Sequence, residues 1–149
     1  MKRMPLVLTL VIALLGVSMY CMPINSAYGE DVETAFKPFL GKWEGDWVWG
    51  SGGRPCKLFV YLDNGQGYVD YYLGPVKQVH TGQHSSVNNS DQQNKIKAEV
   101  KEIKGSHRLV FTSKSSGFEI QWFPKDGQLI GVPIGAPVAD SKCTLSKVQ

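Results

Sequence analysis

The chain has 149 residues, of which 16 are basic and 13 acidic, and its formal net charge is +3. The basic residues are spread along the sequence without a polybasic run, which excludes a charge-based surface for nucleic acid or anionic membranes. The length suits one domain with its own core, and the sequence contains no internal repeat and no low-complexity tract.

The N-terminal segment has the order of an export signal. Lys2 and Arg3 form a short positive region, residues 5–22 carry no charge, and a polar stretch rich in small residues follows. This succession is typical of a cleavable secretory signal peptide. The sequence therefore predicts a periplasmic or secreted protein.

The cleavage site is indicated by residues 27–29, Ala-Tyr-Gly, which fit the small-x-small rule. We predict a signal peptide over residues 1–29, cleaved after Gly29, and a single mature domain over residues 30–149; cleavage after Ala27 is the near alternative. An uncleaved anchor would need about 20 apolar residues, and the stretch here is close to that length. The expected mature protein has no stable membrane insertion. With 14 basic and 13 acidic residues left, its net charge would be +1.

The sequence contains three cysteines, of which the predicted cleavage removes Cys21. A lipid anchor on Cys21 is disfavoured because the bulky Tyr20 precedes it. Cys56 and Cys143 remain, and two cysteines in an oxidising compartment commonly pair. We therefore predict a disulfide between them, with two free thiols as the alternative.

One short helix is predicted over residues 31–39, where Asp31 can cap the first turn and Pro38 limits the length. The rest of the domain is interpreted as strands separated by turns, because polar and apolar residues alternate with a period of two. Residues 50–55 are interpreted as a glycine-rich turn and residues 88–94 as a polar loop. The predicted strands cover residues 42–49, 56–63, 68–73, 79–85, 95–103, 107–113, 117–123, 128–132 and 142–148.

Eight or nine strands with short connections predict an antiparallel sandwich or barrel. An up-and-down barrel satisfies the edges of all strands. It also brings the first and last strands together, which would place Cys143 near Cys56. We predict an all-β fold, an eight- to nine-stranded antiparallel up-and-down barrel with a short N-terminal helix.

The start of the domain, residues 39–45 (Phe-Leu-Gly-Lys-Trp-Glu-Gly), resembles the Gly-x-Trp signature of the calycins, the group of lipocalins, fatty-acid-binding proteins and avidins. Gly41 and Trp43 match by position and context, because in those families a short helical segment precedes the first strand and the Trp plugs one end of the barrel. Lipocalins also pack an Arg over this Trp, and Lys147 is the only residue near the C-terminus that could replace it. The resemblance implies a calycin-like barrel that holds a ligand.

The domain is also similar to the small periplasmic inhibitors of bacterial metalloproteases, which are exported eight-stranded barrels with one disulfide. These proteins too open with Gly-x-Trp and place a Cys at the start of the second strand, as Trp43 and Cys56 would here. Their second Cys follows soon afterwards, whereas Cys143 lies at the far end of this chain. This resemblance implies a protein partner in the cell envelope.

Patterns for catalysis or metal binding are scarce. His80 and His84 lie four residues apart in a predicted strand, where they would be separated by roughly 13 Å, too far to share one metal ion. They and His107 are interpreted as surface histidines. The sequence contains no Gly-x-Ser-x-Gly nucleophile elbow and no phosphate-binding glycine loop. It therefore indicates no catalytic residue, no metal ligand and no cofactor.

Six residues are candidates for contact with a ligand. Five are aromatic side chains that could face the interior, as in cavities for apolar molecules: Trp47, Trp49, Tyr71, Phe111 and Trp122. A small barrel filled by its own side chains would use the same residues. The sixth is Asp70, which would be a desolvated acid or a ligand anchor if it faced inward. The alternation favours Val69, Tyr71 and Leu73 facing inward, which leaves Asp70 in solvent.

Three functions remain open. The first is a non-enzymatic, lipocalin-like binding protein that holds a small apolar or amphipathic molecule after export. The second is a protein-binding module such as a periplasmic enzyme inhibitor, motivated by the size, the predicted disulfide and the lack of a catalytic constellation. The third is a small barrel isomerase or cyclase with Asp70 as its acid.

Overall fold

The computed structural model describes residues 31–50, 52–78, 89–136 and 140–149. One short helix precedes a series of strands in the described residues. Their bounds are α1 Val32–Phe36, β1 Gly41–Trp49, β2 Gly52–Asp63, β3 Gln66–Leu73, β4 Lys77–Gln78, β5 Asp91–Ile103, β6 Ser106–Thr112, β7 Glu119–Lys125, β8 Gln128–Ile134 and β9 Lys142–Lys147.

Eight of these strands form a closed barrel. Along the chain, β1 pairs with β2, β2 with β3, β3 with β5, and each later strand with the next, always antiparallel. The pairing of β1 with β9 closes the ring. The two-residue β4 is an extension that pairs with the first residues of β2. The predicted all-β, up-and-down antiparallel barrel with a short N-terminal helix is confirmed, and the fold is calycin-like.

The interior is built from the alternating apolar positions of the strands. Successive side chains of a strand point to opposite faces, so every second residue enters the barrel. The aliphatic residues that are at most 1% exposed are Leu58, Val60, Val69, Leu109, Leu129 and Leu145. They come from strands all around the ring and pack into one continuous core. An eight-stranded barrel is just wide enough for such filling or for one small ligand.

The helix α1 closes one end of the barrel. Asp31 caps it by accepting a hydrogen bond from the backbone N–H of Glu33 at 3.4 Å. Phe36, at the end of the helix, is 3% exposed and packs on Gly67 of β3. A side chain at position 67 would collide with the Phe36 ring. Glycine there therefore lets the helix lie directly on the strand.

The Gly-x-Trp motif anchors the same end. The indole N–H of Trp43 donates to the backbone oxygen of Phe39 at 2.7 Å, which joins the segment after α1 to the first strand. The ammonium group of Lys147 lies 5.3 Å from the centre of the Trp43 ring, a cation–π contact. Gly41 has φ +110°, and a Cβ added there would lie 3.2 Å from Cε of Lys147. Lys147 thus occupies the place that the calycin resemblance assigns to an Arg.

The predicted glycine-rich turn at residues 50–55 is wrong in part, because β2 begins at Gly52. Gly52 pairs with Trp49, and Arg54 pairs with Trp47 on β1. A Cβ at position 52 would lie 2.8 Å from the indole nitrogen of Trp49. The glycine therefore makes room for the Trp ring over the strand, and it does not mark the end of the strand.

The predicted polar loop at residues 88–94 is also wrong in part, because β5 begins at Asp91 and pairs with β3. The polar side chain that enters the barrel there is Gln93, and it is 5% exposed. Its amide nitrogen donates to Asp91 at 2.5 Å and to Ser115 at 2.7 Å, and its oxygen accepts from the backbone N–H of Lys114 at 2.6 Å. These bonds offset the burial of the amide.

The predicted signal peptide, residues 1–29, lies outside the described residues. Cleavage after Gly29 and the division into a signal and a domain over residues 30–149 remain predictions. The strand predicted at residues 79–85 also lies outside the described residues. Within the described part of the chain, no helix has the length and apolar character needed to cross a bilayer.

Candidate functional site

The end of the barrel opposite α1 contains an open cavity of about 390 Å³. Its walls come from the ends of strands all around the ring and from the segments that follow β6 and β8. Most of the lining is aromatic or aliphatic, with three serines and one arginine. The lining residues are Trp47, Trp49, Arg54, Tyr71, Leu73, Ser113, Ser116, Phe118, Ile120, Pro133, Ala136 and Ser141.

Trp47 and Tyr71 form the floor of this cavity. The indole N–H of Trp47 donates to the hydroxyl oxygen of Tyr71 at 2.5 Å, and the two residues are 6% and 2% exposed. Burial raises the pKa of the Tyr71 hydroxyl well above its usual value, and the neighbouring thiols of Cys56 and Cys143 raise it further. The phenol is therefore neutral at physiological pH. The floor is apolar apart from this one satisfied polar pair.

Phe111 and Trp122 lie beneath the floor and do not line the cavity. The ring centre of Tyr71 is 5.3 Å from that of Phe111 and 6.4 Å from that of Trp122, both edge-to-face. Trp122 meets Trp47 in the same way at 5.9 Å. Edge-to-face contacts add to the energy of burial. These two aromatic residues fill the barrel and support the floor.

Of the five aromatic candidates, Trp47, Trp49 and Tyr71 therefore contact the open space, and Phe111 and Trp122 do not. Trp49 is half-buried at the rim. The sequence left open whether these aromatic residues line a cavity or fill the barrel, and the outcome differs with the depth of each residue along the barrel axis. Trp122 and Phe111 lie in the filled core, and the open space lies at the end opposite α1; a second space of about 400 Å³ lies beside α1 and has Gln66, Lys97 and Glu99 in its lining.

Asp70 stands apart from the other candidates, because it lies on the outer face of β3. Its carboxylate accepts a hydrogen bond from the backbone N–H of Lys95 at 2.8 Å and from the Tyr61 hydroxyl at 3.2 Å. The pairing of β3 with β5 shifts register between Val69 and Tyr71, which leaves the Lys95 N–H outside the ladder. Asp70 thus supplies the acceptor for a backbone N–H that the irregular pairing leaves free, and it does not line the cavity.

The structure corrects the predicted disulfide, because Cys56 and Cys143 are free thiols, both fully buried. They lie opposite Gly45 and Trp47 on the two strands that flank β1. Strands two spacings apart are separated by roughly 10 Å in a flat sheet, whereas a disulfide needs Cα atoms within about 7 Å. Burial raises the pKa of the Cys143 thiol, and the neighbouring Cys56 thiol raises it further.

No histidine is among the described residues that line this cavity. His107 is exposed on β6, while His80 and His84 fall outside the described residues. In the described ranges no group of three or more His, Cys, Asp or Glu residues is placed to hold a metal ion.

Arg54 is the one charged residue among the described residues that line the cavity, and it was not among the candidates from the sequence. It was assigned to a turn, whereas it lies in β2 with its side chain half-buried in the cavity wall. Its Nε donates to the backbone oxygen of Gly74 at 2.7 Å, and its Nη2 to those of Leu73 at 3.3 Å and Asn89 at 3.2 Å. Because Arg54 stands between two glycines and a proline, no local sequence pattern predicts that its side chain lies in the cavity wall.

Comparison with known proteins adds little to this geometry. No family model and no curated protein matches the chain. Among solved structures, the chain is similar to a mutant of the fluorescent protein UnaG, with 9% identity and a TM-score of 0.34 over 76% of this chain and 98% of that one. At this distance the likeness carries no conclusion about function. The description of this chain as a calycin-like barrel rests on its strand order and on the anchored Gly41-x-Trp43 motif.

Proposed function

We propose that the protein is an exported binding protein whose barrel holds one small apolar or amphipathic molecule in the cavity opposite α1. The observation that carries this proposal is the contrast between the two ends of the barrel. The space of about 390 Å³ opposite α1 is lined mainly by aromatic and aliphatic side chains, whereas the space of about 400 Å³ beside α1 has Gln66, Lys97 and Glu99 in its lining. Binding cavities for small molecules measure roughly 300–1,000 Å³ and are lined in this way.

The floor of the cavity supports the same proposal. Trp47 and Tyr71 are held by their mutual hydrogen bond and by the aromatic rings beneath them. A rigid floor is preformed for a ligand, so little conformational entropy is lost on binding. Release of water from the apolar walls would supply most of the affinity.

A neutral fluorescent probe tests this function. N-phenyl-1-naphthylamine, an apolar dye that brightens in apolar surroundings, is titrated into the purified protein. We expect saturable binding of one dye per chain. The variant Leu73→Trp fills the cavity at the end of β3 and should weaken dye binding at least about tenfold. Native mass spectrometry of protein purified from its host should show a bound species.

Leu62→Trp is the matched control. Leu62 is also a half-buried core residue, but it lies on β2 near the end of the barrel that α1 closes. This variant should keep the affinity for the dye, and thermal melts should show that both variants are folded. Absence of saturable binding to the wild type, or equal binding by the two variants, would remove the basis of the proposal.

The isomerase or cyclase hypothesis loses the acid on which it depended. Asp70 lies on the outside of the barrel, and the described lining of the cavity contains no Asp or Glu. The protein-binding alternative gains no comparable observation from the described surface. The binding of a small molecule is therefore the function that the geometry supports best.

A further inference from the structure

We infer that the ligand of the cavity carries an anionic group, a carboxylate or a phosphate, that binds the guanidinium of Arg54. This inference rests on the proposed function, because it concerns the same cavity. It assigns a specificity-determining residue and restricts the ligand to acidic amphiphiles.

The position of the guanidinium is set by the backbone around it. The three carbonyl oxygens of Leu73, Gly74 and Asn89 accept from Nε and Nη2 of Arg54. No described residue accepts from Nη1. The bonds to carbonyl groups therefore fix the plane of the side chain and leave the two N–H groups of Nη1 for another acceptor. A charged donor held in a fixed orientation suits an oxygen of a carboxylate or a phosphate.

The charge of Arg54 is not balanced by a carboxylate in the described structure. The ion pairs found there join Lys57 to Glu44, Lys95 to Asp63 and Lys101 to Glu99. The sequence of the internal segments outside the description, residue 51 and residues 79–88 and 137–139, contains no Asp or Glu. The acceptors that hold Arg54 are neutral backbone carbonyl groups.

Such an unbalanced charge beside apolar walls favours an anionic ligand. A half-buried cation loses part of its hydration, and its attraction for an anion grows as the surroundings become less polar. The hydroxyl groups of Ser113, Ser116 and Ser141 line the same cavity and supply further donors. The ligand that fits has an apolar body against Trp47 and Tyr71 and one acidic group at Arg54.

Ligands that share one chain and differ in their polar end test this inference. We propose to measure the affinity of the full-length protein for decanoate, decyl phosphate and 1-decanol by calorimetry or by displacement of the neutral dye. At least one anion should bind about tenfold or more tightly than the alcohol. Whether decanoate or decyl phosphate binds more tightly identifies the acidic group as a carboxylate or a phosphate.

Variants then assign the preference to Arg54. Arg54→Gln should abolish the difference in affinity between the tighter anion and the alcohol. Arg54→Lys should keep part of this preference, since it retains the charge but not the fixed planar orientation of the donors. Lys77→Gln is the control, because Lys77 is an exposed cation paired beside Arg54 at Gly53 and does not line the cavity.

The outcomes separate the two proposals. Equal affinity for all three ligands, or a preference for anions that survives in Arg54→Gln, would overturn the role of Arg54 and leave the binding function standing. Failure of every ligand and of the neutral dye to bind would overturn both. Should Arg54→Gln not fold, Arg54→Lys takes its place: a preference for the anion that is unchanged in Arg54→Lys and insensitive to added salt would overturn the role of Arg54.

Discussion

The hydrogen bond beneath the cavity offers a sharp test of how the barrel is stabilised. In Tyr71→Phe the ring keeps its edge-to-face contacts with Phe111 and Trp122, and only the hydroxyl is lost. The indole N–H of Trp47, which donates to that hydroxyl at 2.5 Å, is then left buried without an acceptor. The perturbation is one oxygen atom in an otherwise unchanged core.

The magnitude follows from the burial of both partners. An unsatisfied buried donor costs about 1–3 kcal/mol, more than the net value of an average hydrogen bond. The free energy of unfolding should fall by that amount. For a domain of this size each kcal/mol lowers the melting temperature by about 3–6 °C.

The assay is denaturant unfolding followed by tryptophan fluorescence, with the slope m compared between variants. Tyr72→Phe is the matched control, because Tyr72 is the next residue on β3, is half exposed and points to the outer face. Its hydroxyl reaches water, so its loss should change stability by less than about 0.5 kcal/mol. The m value should be the same in all three proteins.

Equal stability of Tyr71→Phe and Tyr72→Phe would show that the loss of this hydrogen bond costs the fold nothing. A double-mutant cycle with Trp47→Phe adds a second criterion. The two changes remove the partners of one bond, so their costs should not add, and a coupling of about 0.5 kcal/mol or more is expected. Strict additivity would show that the bond between Trp47 and Tyr71 contributes nothing of its own.

Two further predictions concern Cys143 and Asp70. The pKa of the buried Cys143 thiol lies above its unfolded value of about 8.5, so the contribution of this thiol to stability is complete below that pH and falls as the pH rises, by up to about 1.4 kcal/mol per pH unit. In unfolding experiments with a reductant, Cys143→Ala should flatten this decline between pH 8.5 and 10. An unchanged decline would contradict the raised pKa. Asp70→Ala removes the acceptor of the exposed Lys95 N–H, and the free energy of unfolding should fall by no more than about 1 kcal/mol. The affinity for the neutral dye should stay the same, and a large loss of affinity would mean that Asp70 reaches the cavity.

The sequence by itself determined the class of the fold, because this information is local. The period of two along residues 42–49 assigned Trp43 and Trp47 to the buried face, as observed. The Gly-x-Trp motif located the start of the barrel. The break between the predicted strands 56–63 and 68–73 and most other connections were located for the same reason, since turn residues act on their immediate neighbours.

Local pattern was less reliable where a partner strand decides the outcome. Residues 52–55 and 91–94 resemble connections by composition, yet both extend strands. Pairing with β1 and β3 satisfies their backbone groups, and the side-chain network around Gln93 satisfies the one buried amide. Contacts of this kind join residues far apart in sequence, which a window of neighbouring residues cannot contain.

The cavity was decided by the tertiary structure alone. Alternation indicates that Trp47 and Trp122 both face inward, but only the register of the closed ring determines how deep each lies, so Trp47 borders the open space and Trp122 fills the core. The same ring places Arg54 in the wall and leaves Asp70 outside. It also puts Cys56 and Cys143 on either side of β1 as thiols. Depth along the barrel axis depends on the stagger of every strand, and this quantity has no local signature in the sequence.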